Sequence, residues 1–207
     1  MKSNICVVQK GGLGLENVLF EVEKITTYNE MPKKEALRLR LLAEELVGML
    51  PELVKNFEGR FWVQNNEKRY ELHVELSVEN LSKSKKEELI AVSANKKNAA
   101  ASGFMGKIRD IAENMLLFSD ESSSNNVSSN GYLRDYAPDY IHDYDSVDVH
   151  YSYAWTLDHY TKQNKESLSG NDETWDQLEK SIVAKLADDV IVGVRGKKVE
   201  IIIKKEF

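Results

Sequence analysis

The sequence predicts an α+β fold: a two-layer α/β sandwich in which a mixed, mostly antiparallel sheet carries helices on one face. Three observations predict it. Over Lys33 to Asn56, the residues Leu39, Leu42, Leu46, Met49 (or Leu50) and Leu53 recur at steps of three and four, the spacing of one buried helical face. After Gly59 the period shortens to two, with Tyr70, Leu72, Val74, Leu76 and Val78 on one side, as on a strand with one face in a core. The chain then closes on two further apolar runs, Val190 to Val194 and Val199 to Ile203, separated by a Gly- and Lys-rich turn.

In chain order, Ile5-Cys6-Val7-Val8 predicts a short strand. Gly11-Gly12-Leu13-Gly14 follows; without the Lys and Ser/Thr of a P-loop it is a turn rather than a phosphate cradle. Leu15 to Tyr28 carries Val18, Leu19, Val22 and Ile25 at helical spacing, and Asn29 to Pro32 breaks it. Pro32 stands at the entry to the leucine-rich helix, whose stripe Leu37, Leu41, Val47 and Leu50 widen. Arg60 to Gln64 and Arg69 to Val78 form a hairpin about the loop Asn65 to Lys68. Glu71, His73, Glu75 and Ser77 point away from the apolar side, so His73 is expected to be a solvated sheet residue with no ligand set near it.

The centre of the chain has no such regularity. Lys83 to Lys97 is highly charged, with Leu89, Ile90 and Val92 as an apolar side. Ile108, Ile111, Ala112, Met115 and Leu116 give Lys107 to Leu116 a buried helical face. Ser119 to Asn130 is a polar low-complexity stretch, expected to be a mobile loop. Residues 132–160 crowd tyrosines and Trp155 among aspartates, and Val147 to Tyr153 alternates like a strand. The whole of 1–207 is thus one domain carrying an insertion over 119–172. His142, Asp143, Asp145, Asp148 and His150 match no metal-ligand spacing, and no metal ligand is assigned. The aromatic segment suits either protein recognition or packing on the sheet. Trp175 to Leu186 is an amphipathic helix with Leu178, Ile182, Val183 and Leu186 inward.

Composition narrows the function. With 42% hydrophobic and 30% charged residues the chain is that of a globular protein. A net charge of −6 argues against a nucleic-acid backbone as partner. Cys6 is the single cysteine, which excludes an internal disulfide and points to a reducing compartment. No run is long and apolar enough for a membrane span, and the N-terminus lacks a signal-peptide pattern. A cytoplasmic protein, with neither nucleic acid nor membrane as partner, is expected.

The segment LRLRLLAEELVGML, from Leu37 to Leu50, resembles the first motif helix of the GHKL (histidine kinase-like) ATPases, a family that includes the anti-sigma-factor serine kinases. Leu186-Ala187-Asp188-Asp189-Val190, running into the final hairpin, resembles the end of those kinase domains. The resemblance implies ATP and Mg²⁺ as cofactors. Glu45 falls at the catalytic-base position, Glu79 at the adenine contact, and Gly103 and Gly106 at the phosphate-cradling lid. Without the resemblance, Glu45 is an ordinary polar residue at a helix edge, and the glycines are a turn before a helix. The chain departs from the family where Met49 stands in place of the Mg²⁺-binding Asn, and where no glycine follows Glu79. A thioether is a poor ligand for a hard cation. A second register, Glu52 with Asn56, sits behind Pro51. The expectation is therefore a non-catalytic or weakly nucleotide-binding regulatory domain that works through a protein partner. The alternative is an active anti-sigma-factor-type serine kinase.

Overall fold

The computed structural model describes residues 1–9, 14–53, 58–77, 153–158, 181–195 and 198–207. Expectations for Glu79, Gly103, Gly106, the charged run, the helix after Gly106, the Ser/Asn loop and nearly all of the tyrosine-rich segment lie outside the described residues. So does most of the helix proposed from Trp175, of which Ile182–Leu186 is described.

Strand β1 (Cys6–Gln9) leads to helices α1 (Leu15–Tyr28) and α2 (Lys33–Leu53). The hairpin β2 (Glu58–Asn66) and β3 (Arg69–Ser77) follows. Then come β4 (Tyr153–Thr156), a short helix α3 (Ile182–Leu186), and a second hairpin, β5 (Asp189–Arg195) and β6 (Lys198–Glu206). Among the described residues the strands form one six-stranded sheet in the order β1-β2-β3-β6-β5-β4. Every described pairing is antiparallel. The two hairpins meet along β3 and β6, with His73 opposite Ile202.

One face of the sheet is apolar because each strand alternates. Phe61 and Val63, Leu72 and Val74, Ile201 and Ile203, and Val190 and Val192 are all fully buried. They share a continuous core with Val18, Val22 and Ile25 of α1 and Leu39, Leu42, Leu46 and Leu50 of α2. Leu39, Leu42, Leu46, Val47, Met49 and Leu50 of the helical stripe are buried as their spacing predicts, whereas Leu41 is half-buried and Leu37 is 57% exposed. Leu37 sits beyond the edge of the apolar arc, on the side of the helix turned away from Leu39, Leu42 and Leu46. The helix also continues through Pro51 to Leu53.

Two connections fix the layers. Gly14 has φ 97°, and a Cβ there would stand 2.2 Å from the Val7 carbonyl oxygen, so the turn from β1 into α1 admits only glycine. At the end of α1, the Met31 N–H donates to Thr26 O at 2.9 Å and the Glu30 N–H to Thr27 O at 3.1 Å. This is a complete Schellman cap, with Glu30 in the left-handed conformation at φ 48° where glycine is usual. Met31, the residue after it, packs against the core.

The first residues extend β1 along β2 with a shift in register. Cys6 pairs with Phe61, whereas Lys2 pairs with Gln64. The offset of one residue is a bulge at Asn4 and Ile5. It turns Asn4 toward α1, where its backbone N–H and its Nδ2 donate to the two oxygens of Glu21 at 3.1 and 2.9 Å.

Candidate functional site

The helix-layer position comes first, since the sequence placed Glu45 there. Arg38, Leu41 and Glu45 form the half-buried margin of α2, between the buried row Leu42, Leu46 and Met49 and solvent. Met49, one turn further on, is 6% exposed and belongs to the core cluster. Its sulfur is packing, as expected of a flexible side chain filling an apolar gap. Of the sequence-assigned site residues, Glu45 is thus the one whose place is described.

The second candidate lies on the opposite face of the sheet, where the sequence predicted only solvated residues. That expectation is overturned for His73, which is 6% exposed. Trp62 sits directly across from it on β2. The two rings stack at 4.8 Å between centroids with a 9° interplanar angle. His73 Nδ1 is 3.1 Å from Glu200 Oε1, and Nε2 is 3.3 Å from Glu71 Oε2. The Lys2 ammonium lies 4.4 Å over the Trp62 ring, close enough for cation–π attraction. Lys204 reaches Glu71 at 3.8 Å, and Lys198 reaches Glu75 at 3.1 Å.

The electrostatics follow from these contacts. Burial disfavours a charged imidazole, but hydrogen bonds to Glu200 and Glu71 outweigh it and raise the His73 pKa above 6.5. The same bond from His73 lowers the Glu71 pKa against the effect of its burial, with Lys204 adding to it. The imidazole is the hinge of the cluster, since only its charged form can donate to both carboxylates at once.

A cleft of about 320 Å³ opens at the end of the sheet, among Gln64, Arg69, Glu71, Asp188 and Lys204. Its charges pair with one another: Lys205 with Asp188 at 2.6 Å, Arg69 with Glu206 at 3.2 Å. Asp188 also accepts the Glu206 N–H at 2.6 Å, and Asp189 accepts the N–H groups of Asp158 and Val190 at 3.0 and 2.8 Å. Burial raises the Asp189 pKa despite those two donors. The pair Asp188-Asp189 therefore staples strand ends together. Among the described residues no group of His, Cys, Asp and Glu is arranged to hold a metal.

Fold and sites together define a two-layer α+β protein with a helix-backed antiparallel sheet. No family model, no curated protein and no solved structure matches the chain. No described helix is long and apolar enough to cross a membrane.

Sequence reasoning missed the His73 cluster and the Asn4–Glu21 contact. The alternation of β3 does put Glu71, His73 and Glu75 on one face. Glu200 joins them only through the β3–β6 register, which joins residues far apart in the chain.

Proposed function

We propose that this chain is a regulatory, protein-binding domain of histidine kinase-like ATPase architecture, without effective catalysis of phosphoryl transfer. The observation that carries this reading is Met49. It occupies the position where the resemblance requires an oxygen ligand for Mg²⁺, and it is buried in the core. Phosphoryl transfer depends on positioned Mg²⁺ to neutralise developing charge, and a buried thioether offers neither oxygen nor access. The order of elements supports the same architecture: a leucine-rich helix, a hairpin, and a closing hairpin beside it. The aromatic residues crowded over 132–160 and the exposed Phe20, Tyr28 and Leu37 are side chains of the kind a protein partner would cover.

The alternative of an active ATP-dependent serine kinase rests on Glu45, whose half-buried carboxylate keeps access to a ligand. Isothermal titration with Mg-ATP separates the two. The proposed reading expects no micromolar binding and no hydrolysis above background. Micromolar binding that vanishes in Glu79→Ala rejects it in favour of the kinase.

A further inference from the structure

We propose that Glu71, His73 and Glu200 form a proton-operated lock across the β3–β6 seam, with Trp62 as the plate that closes over it. In the closed state both ring nitrogens carry protons and each donates to a carboxylate, at 3.1 Å to Glu200 and 3.3 Å to Glu71. Release of one proton to solvent leaves a nitrogen lone pair facing a carboxylate oxygen. The Glu200 side chain is 10% exposed and that of His73 is 7% exposed. Neither can be rehydrated without moving, and a buried polar group facing a like lone pair is costly. A neutral ring keeps one donor, so the contact that loses its proton is the one that opens, and Glu71, with 23% of its side chain exposed, is the partner able to turn to water.

The charges facing His73 come from every described strand beside it. Its own strand contributes Glu71 and Glu75. From β2 the flanking residues are Arg60 and Gln64, on either side of Trp62. Strand β6 brings Lys198, Glu200 and Lys204 around the apolar Ile202. Lys198 and Lys204 are engaged by Glu75 and Glu71, so they temper the acids. Lys2 stands over the Trp62 ring that stacks on His73. The state of the imidazole is thereby passed to the segment that precedes β1. Because the folded pKa is raised, the stabilisation is fully present below the ordinary histidine value and is lost as pH rises through the folded one.

The test is a ¹H–¹⁵N titration of the histidine rings in the full chain. His73 is assigned by its loss in His73→Gln, or, should that variant not fold, by the one ring resonance that Glu71→Gln shifts. The Trp62 indole is assigned by Trp62→Phe. The lock requires a His73 midpoint above 6.5, a lower midpoint in Glu71→Gln, and a Trp62 indole resonance that moves with the same midpoint. A histidine that titrates in place would also shift the stacked indole. It would, however, leave the hydrogen-exchange protection of the β3–β6 backbone amides unchanged, whereas the lock requires that protection to fall as pH rises through the His73 midpoint. The proposal is overturned by a His73 midpoint at or below that value, by an unchanged midpoint in Glu71→Gln, by an indole that does not follow the ring, or by protection that does not fall.

Discussion

Glycine serves opposite purposes at two places in this chain. At Gly48, on the exposed side of α2, an added Cβ would meet nothing within 4 Å. Glycine there costs helix propensity and brings no packing in return, so Gly48→Ala should stabilise the fold by about 1 kcal/mol in urea unfolding. At Gly59, a Cβ would lie 2.8 Å from both Leu76 Cδ2 and Val8 Cγ2. Those methyl groups can give way only by disturbing a filled core, so Gly59→Ala should cost roughly 1–3 kcal/mol. Glu21 is a third instructive residue. Burial works against its carboxylate, but hydrogen bonds from Asn4 and the charge of Lys24 outweigh it and lower its pKa below 4.5. A lowered carboxyl pKa adds stability above the unfolded value, and that stability is lost as pH falls through the folded one. Glu21→Gln should accordingly flatten the acid limb of the stability profile, measured by denaturant midpoints from pH 3 to 6. A mutant limb as steep as that of the parent would show that other carboxylates carry it.

Among the elements, the α1–α2 corner is the clearest case of a rule met with the wrong residue. Its Schellman hydrogen bonds are complete, and Met31 makes the apolar contact that accompanies them. Yet Glu30 holds the left-handed position at φ 48°, where a side chain is strained. Glu30→Gly should raise stability by about 0.5–1 kcal/mol, with the helix content by circular dichroism unchanged. A loss would mean that the Glu30 side chain contributes more than its backbone strain removes. The bulge at Asn4 and Ile5 makes a comparable local exception on β1, the edge strand of the described sheet, where an uninterrupted ladder would invite pairing with another chain. It also delivers Asn4 to Glu21, so one irregularity both guards an edge and ties the sheet to the helical layer.

For the whole molecule, periodicity made the layers legible. The stripe on α2, the alternation of β3 and the closing pair of apolar runs each name a face, and faces must be buried against one another. What periodicity does not encode is which hairpin edge joins which. The β3–β6 seam therefore stayed hidden, and with it the cluster that buries His73 between Glu71 and Glu200. The candidate site was legible in part for a related reason: Glu45 lies at the helix margin that its spacing implies, but a motif letter says nothing of whether its neighbour faces a ligand or a core. Met49 is where that difference can be measured. It is 6% exposed and packed among the leucines that join helix to sheet. If it is a packing residue, Met49→Leu should be tolerated, at a cost under about 1.5 kcal/mol for a volume-conserving exchange. Met49→Asn would bury an amide without a partner and should cost roughly 1–3 kcal/mol. It should also confer no Mg²⁺-dependent affinity for ATP, because a side chain turned into the core cannot present its oxygen to a cation shared with phosphates. The decisive outcome is the reverse one: a Met49→Asn protein that keeps its stability and gains Mg-ATP binding by titration calorimetry. That result would place this position on the wall of a nucleotide site and make the missing oxygen, rather than the packing, what separates this chain from the kinases it resembles.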